Sequence, residues 1–165
     1  MAITQRGDTK VIEHSITLNA SPDDVYKAIS DVDAMSKWFT SRATGTTRVG
    51  GKYRFEFEFE DSSRNHTMLG EFTALDAGKK VGYTWSTVPE EGSVTEASST
   101  LVEYAISGSG GQTRVDLVHS GFESNPPEQV ISETDQGWGF FLPNLTSVLD
   151  DDTDTRAAGM GQIIA

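Results

Sequence analysis

The stretch that decides the fold is YRFEFEFE, residues 53–60, in which aromatic and charged residues alternate without a break. A period of two places all four rings on one face of a β-strand and all four charges on the other. The turn signal VGGK at 49–52 marks where this strand begins. Since the charged face can meet water while the aromatic face cannot, the strand predicts a sheet covered on one side by a large apolar element.

The cover is predicted to be a helix over residues 127–150. Its apolar residues recur at spacings of three and four, and the stripe consists of Ile131, Thr134, Trp138, Phe141, Leu142, Leu145 and Leu149. We expect this helix to end at Asp150, because the carboxylates that follow oppose the helix dipole. Pro143, helped by Gly137 and Gly139, predicts a bend over 139–143. The bend is either a gate over a cavity or a fixed kink that fits the helix to the sheet.

The remaining elements complete an α+β pattern. Residues 11–18 alternate as a strand, and Ser21-Pro22 then starts a helical segment that Ser30-Asp31 divides into two short helices ending near Phe39. Further strands are predicted at 68–75, 80–88, 94–107 and 113–119. The expected fold is a curved antiparallel sheet of about six strands, with two short helices after strand 1 and a long C-terminal helix on its concave face.

Length and composition favour one domain. The 165 residues suit a single core, assigned to 11–150, with a flexible N-terminus over 1–10 and a flexible acidic tail over 151–165. The chain has no cysteine, and we find neither a signal peptide nor a membrane-spanning run. We therefore expect a cytoplasmic protein.

Charge and motif content exclude several classes of function. A formal net charge of −12, with scattered Lys and Arg, disfavours nucleic-acid binding. The three histidines, at 14, 66 and 119, stand in no metal-binding spacing. No cofactor fingerprint or catalytic motif is found, so we predict no cofactor, no metal and no assigned catalytic residue.

The order of motifs resembles the START-like, or helix-grip, superfamily (SRPBCC), and within it the branch similar to the activator of the heat-shock protein 90 ATPase. The resemblance covers about residues 10–149, and its motifs are ITLNASP (16–22), VYKAI (25–29), WF (38–39), RVGGKY (48–53), GEF (70–72), YTW (83–85), TRVDL (113–117), HSGF (119–122) and GW (137–138). It implies a deep apolar cavity beneath the C-terminal helix. It implies no single chemistry, because members of this superfamily serve lipid transport, hormone binding and polyketide cyclisation.

Candidate cavity residues follow from the inward faces. They are Trp38, Phe55, Phe57, Tyr83, Trp85, His119, Trp138 and Phe141. Aromatic residues with polar edges are typical of pockets for flat apolar ligands, although core packing explains the same residues. His119 follows Val115 and Leu117 on the inward face, where it is either a core histidine or the polar contact of a ligand.

Three functions remain open on this evidence. The first is binding of a small hydrophobic or aromatic molecule between sheet and helix. The second is a cofactor-free polyketide cyclase or hydratase, with His119 exchanging protons. The third is a protein-interaction domain of the chaperone-activator kind, and a homodimer is compatible with all three. A smooth apolar cavity favours the first, converging polar groups the second and a filled core the third.

Overall fold

Nine antiparallel strands and three α-helices make up the described part of the chain in the computed structural model, which describes residues 3–6, 9–87, 100–122, 128–156 and 163–164. In chain order the elements are β1 (Ile3–Arg6), β2 (Thr9–Leu18), α1 (Pro22–Ser30), α2 (Val32–Met35), β3 (Arg42–Gly45), β4 (Lys52–Phe59), β5 (His66–Asp76), β6 (Lys80–Thr87), β7 (Thr100–Ser109), β8 (Gln112–Ser120), α3 (Glu128–Asp151) and β9 (Ile163–Ile164). A short 3-10 turn, Ser62–Arg64, joins β4 to β5.

The strands form one sheet in the order β1-β2-β8-β7-β6-β5-β4-β3, and β9 also pairs with β4. The first long strand, β2, therefore lies beside the last, β8. The six strands of eight or more residues correspond to the six predicted ones, and the sheet contains three short strands beyond the predicted number. β1, β3 and β9 have no counterpart in the prediction, because strands of two to four residues are too short to show a period.

The predicted boundaries agree with those of the structure to within a few residues, although the second short helix ends at Met35 rather than near Phe39. The strand over 53–60 is β4, and its four aromatic side chains are all buried: Tyr53, Phe55, Phe57 and Phe59. β7 is described from Thr100 onward, so residues 94–99 of the predicted strand lie outside the described residues, as do residues 88 and 127 at the ends of two other predicted elements.

Both short helices begin as predicted. The Ser21 side chain accepts a hydrogen bond from the Asp24 backbone N–H at 3.2 Å and caps α1. Asp31 ends α1, and its carboxylate accepts from the Asp33 N–H at 2.9 Å, which caps α2. This shared residue explains the break between the two helices.

The helix α3 lies on the concave face of the sheet and supplies much of the core. Six of its described side chains are buried: Ile131, Trp138, Phe141, Leu142, Asn144 and Leu145. The helix is continuous from Glu128 to Asp151, and Pro143 lies inside it with its side chain exposed. That the helix bends here and opens as a gate over the cavity stays a prediction. Among the described helices, none combines the length and hydrophobicity that crossing a bilayer requires.

The carboxylate of Asp150 explains why acidic residues are tolerated at the C-terminus of α3. It accepts hydrogen bonds from the backbone N–H groups of Asn19 and Ala20 at 2.9 to 3.2 Å, at the point where the chain leaves β2. Asp152 then takes a left-handed conformation, with φ of 53°, that ends the helix.

Residues at both ends of the chain contact the domain, where the sequence analysis expected flexible segments. Residues 3–6 form β1 against β2. In the acidic tail, Arg156 is buried with 2% of its surface exposed, and it donates to the carbonyl oxygens of Thr40 at 2.7 Å and Ser36 at 3.0 Å. The prediction rests on the small number of apolar residues in the tail, whereas the contacts that Arg156 makes with the domain are polar.

Candidate ligand-binding pocket

A pocket of about 790 Å³ lies between the sheet and the N-terminal half of α3. Six Phe and Trp side chains line it, and they come from the segment after α2 and from β4, β6 and α3: Phe39, Phe57, Phe59, Trp85, Trp138 and Phe141. All but Trp85 are at most 5% exposed. The interior wall of the pocket is therefore aromatic.

Polar side chains are confined to the solvent-exposed rim. Arg64 and His66 lie on one side, at the β4–β5 connection, and Glu133 and Gln136 on the other, on α3. The Arg64 guanidinium stacks over the Phe59 ring at 4.6 Å from its centroid. The pocket thus combines an apolar interior with a polar entrance, which suits a small organic molecule.

Phe39 lies at the centre of the aromatic wall. Its ring lies 5.2 Å from Phe57, 5.3 Å from Trp138 and 5.0 Å from Phe141, measured between ring centroids. It therefore joins the sheet side of the pocket to the helix side. The prediction names its neighbour Trp38 instead, because nothing in a two-residue WF motif indicates which of the two rings faces the cavity.

Four of the eight predicted site residues line the pocket. They are Phe57, Trp85, Trp138 and Phe141. The other four are buried elsewhere in the core: Trp38, Phe55, Tyr83 and His119. For these four, the structure favours the packing interpretation over the ligand-binding one.

Trp38 and Phe55 serve the core directly. The Trp38 indole N–H donates to the Ala28 carbonyl at 2.8 Å, and this bond connects the segment that follows α2 to α1. The Phe55 ring stacks on Tyr53 at 3.9 Å between centroids.

Tyr83 belongs to a cluster of buried tyrosines beneath the pocket. Its hydroxyl lies 2.9 Å from that of Tyr104, and Tyr53 donates to the Thr84 carbonyl. Burial raises the pKa of all three phenols above the usual range, so they stay neutral and act as hydrogen-bonding core residues.

His119 is fully buried, and both of its ring nitrogens are engaged. Trp138 donates its indole N–H to His119 Nδ1 at 3.0 Å, which leaves the ring hydrogen on Nε2. Nε2 then donates to Thr100 Oγ1 at 2.6 Å, and the threonine hydroxyl donates to the Trp85 carbonyl at 3.1 Å. Burial lowers the His119 pKa to about 3, so the imidazole is neutral at physiological pH.

This chain of hydrogen bonds favours the first of the two predicted roles of His119, that of a core histidine. The ring does not line the pocket, and neither nitrogen is left to take or give a proton to a bound molecule. His119 is a core histidine that holds Trp138 in the pocket wall.

His66 is a pocket residue that the sequence analysis did not select. It pairs with Phe57 across β4 and β5, and its ring stacks on Phe57 at 4.9 Å with an interplanar angle of 15°. Its only sequence signal is its place at the start of β5, where the pairing with β4 sets the inward face. That pairing cannot be read from a single strand.

A metal site has no candidate in the described residues. No three His, Asp or Glu side chains there gather into a group that could hold an ion. The pocket offers aromatic surface and a few polar groups, which are the features of an organic ligand site.

The comparison with protein families agrees with the fold. The family model described as activator of Hsp90 ATPase homolog 1-like protein matches residues 19–150, which is most of the chain. The chain belongs to this family. The resemblance predicted from the sequence motifs is thereby confirmed. The residues that line the pocket all lie within the matched region.

Solved structures share the family's fold. A protein from Arthrobacter aurescens has a TM-score of 0.75 at 17% identity, covering 92% of this chain and 92% of its own. The Aha1 dimer from Colwellia psychrerythraea has a TM-score of 0.65 at 24% identity over 85% of this chain and 96% of its own. CalU16 from Micromonospora echinospora has 0.67 at 20% over 93% and 83%. No curated protein matches the chain.

Proposed function

We propose that this protein binds a small hydrophobic or aromatic molecule in the pocket between β4, β6 and the N-terminal half of α3. The observation that carries the proposal is a partly open pocket of about 790 Å³ whose lining includes six Phe and Trp side chains. Pockets for small organic ligands commonly measure roughly 300–1,000 Å³ and have mostly apolar walls.

The distribution of polar groups favours binding over catalysis. A cyclase or hydratase needs an acid or base in contact with its substrate, and His119 was the candidate for that role. His119 does not line the pocket, and its two nitrogens are hydrogen-bonded to Trp138 and Thr100. The interaction-domain alternative predicts a filled core, which the pocket argues against.

The first experiment measures the affinity of 2-methoxynaphthalene by isothermal titration calorimetry. This probe is aromatic and uncharged and has no hydrogen-bond donor, so it tests only the aromatic pocket. Because Trp85 and Trp138 line the pocket, binding should also change the intrinsic tryptophan fluorescence. Absence of both signals would contradict the proposal. In that case native mass spectrometry of the protein purified from its own host should also show no retained small molecule.

A matched pair of helix variants locates the site. Gly137 lines the pocket, so Gly137→Leu places a side chain inside it and should weaken binding at least about tenfold. Gly139 is exposed on the same helix, and a Cβ there would lie 3.7 Å from His14 Cε1, which is ordinary contact. Gly139→Leu should bind the probe as the wild type does. If the two variants bind the probe with equal affinity, the binding site does not lie in this pocket.

A homodimer is a second, independent proposal. It is supported by the Colwellia psychrerythraea structure, which is described as a dimer and has the same fold. Light scattering coupled to size-exclusion chromatography tests it: a mass near twice 17.9 kDa is expected, and a single-chain mass at micromolar concentration would reject it.

A further inference from the structure

The orientation of His66 at the pocket rim is fixed by its neighbours. Its ring stacks on Phe57 and also lies 5.9 Å from the Phe59 centroid at an interplanar angle of 23°. Its Nδ1 lies 3.0 Å from the Arg64 carbonyl oxygen. Two aromatic contacts and one hydrogen bond therefore hold the imidazole in place beside the pocket.

This geometry determines what the other nitrogen can do. A carbonyl oxygen only accepts hydrogen bonds, so Nδ1 must carry the hydrogen of the neutral ring. Nε2 then carries a lone pair, and within the described part of the chain it has no hydrogen-bond partner. His66 therefore gives the rim of an aromatic pocket an oriented, unused acceptor.

Glu133 and Gln136, on the opposite side of the rim, also carry acceptor oxygens. His66 is therefore distinguished by the ring stacking that holds it against Phe57 rather than by being the only acceptor. The Thr134 hydroxyl donates to the Val130 carbonyl at 2.8 Å, and the Gln136 amide N–H lies 3.4 Å from Ser132 Oγ. Arg64 is a donor only. A ligand that presents a hydroxyl to His66 would gain a hydrogen bond, whereas one that presents a carboxylate would offer Nε2 no proton.

We propose that the ligand is an aromatic molecule with a hydroxyl group, such as a phenol or naphthol, whose O–H donates to His66 Nε2 while its ring lies against Phe57. This inference rests on the proposed function and adds the chemical class of the ligand to it. His66 is a specificity-determining contact in this proposal, because the aromatic walls bind a methylated analogue equally well and only the hydrogen bond separates the two.

The test compares three probes by calorimetry: 2-naphthol, 2-methoxynaphthalene and 2-naphthoate. The wild type should bind 2-naphthol about 3- to 10-fold more tightly than 2-methoxynaphthalene, the gain expected from one hydrogen bond. His66→Phe keeps the stacked ring and removes the acceptor, so it should bind both naphthalenes within about twofold of each other. His66→Gln, which retains an acceptor oxygen, should restore part of the preference.

Each outcome has a distinct meaning. Equal affinities of the wild type for 2-naphthol and 2-methoxynaphthalene would overturn this inference while leaving the proposed function intact. The same holds if 2-naphthoate binds most tightly, or if His66→Phe keeps the preference for the hydroxyl. Failure of all three probes to bind would overturn the proposed function and this inference with it.

Discussion

The indole N–H of Trp138 donates to Nδ1 of His119 at 3.0 Å, and this bond joins α3 to the centre of the sheet. His119 lies on β8, which is between β2 and β7 in the sheet. From His119 the hydrogen bonds continue through Thr100 to the Trp85 carbonyl on β6. The bond thus fixes one pocket side chain, Trp138, to the backbone of another, Trp85.

Replacing Trp138 with phenylalanine should destabilise the fold more than the same change at Trp85. Both substitutions exchange an indole for a smaller ring, but only Trp138→Phe leaves buried His119 Nδ1 without its donor. We expect an additional loss of about 1–3 kcal/mol in the free energy of unfolding, measured by urea titration. Equal losses for the two variants would show that the hydrogen bond contributes nothing.

Stability should decrease in mild acid because His119 is buried as the neutral base. Burial lowers its pKa from 6.5 to about 3, so between these values the unfolded chain binds a proton that the folded chain does not. The contribution is complete above pH 6.5 and is lost as the pH falls towards 3. The unfolding free energy of the wild type should fall about 1.4 kcal/mol per pH unit more steeply than that of His119→Gln between pH 6 and 5. Parallel slopes would contradict the assignment.

Arg156 should be needed for stability although it lies in the C-terminal tail. Its guanidinium is 2% exposed, so Arg156→Ala strands the carbonyl groups of Ser36 and Thr40 and should cost about 2–4 kcal/mol. Arg156→Lys should recover only part of this, since an ammonium cannot span the same acceptors.

The control for this prediction is Arg114→Ala. Arg156 pairs with Asp154, two residues away, at 2.7 Å, and Arg114 likewise pairs with Asp116, but the Arg114 side chain is 60% exposed. Exposed ion pairs contribute little, so this variant should leave the unfolding transition nearly unchanged. Comparable losses at the two positions would refute the anchoring role of Arg156.

Gly70 should tolerate no larger residue, because Tyr53 crosses the strand directly above it. A Cβ at Gly70 would lie 2.1 Å from the Thr84 carbonyl oxygen and 2.6 Å from Tyr53 Cε2. Gly70→Ala must therefore displace both the Tyr53 ring and its hydrogen bond to Thr84, at a cost of about 2–4 kcal/mol. Tyr53→Phe removes the hydrogen bond alone and should cost less. Thermal unfolding of the two variants decides, and a smaller loss for Gly70→Ala would contradict this account.

Long periodic segments made most of the fold predictable. The alternation over 53–60 predicted both the buried face of β4 and the need for a covering helix, and the helical stripe predicted α3 to within one residue at its C-terminal end. In these segments every turn or pair of residues repeats the same signal, so local sequence and tertiary structure agree.

The candidate site was harder to predict, because its residues meet only through the fold. Trp138 and Phe141 are predictable because they belong to the apolar stripe of the helix. His66 faces the pocket because it pairs with Phe57 on the neighbouring strand, and this pairing is not visible in the sequence. The role of His119 depended on Thr100 and Trp138, each 19 residues away along the chain. The alternating pattern gave its inward direction correctly and could not give its partners.

The pairing of β2 with β8 has a consequence for how the chain folds. Ser15 lies opposite Asp116, a separation of 101 residues, so the first long strand can complete the sheet only after nearly the whole domain exists. At roughly 5–20 residues per second, β2 would leave the ribosome about 5–20 s before its partner strand. Non-local strand pairing of this kind also slows folding itself. The newly made chain therefore passes through a period in which the edge of β2 that will pair with β8 is unpaired, and chaperone binding or misassociation would act on that edge first.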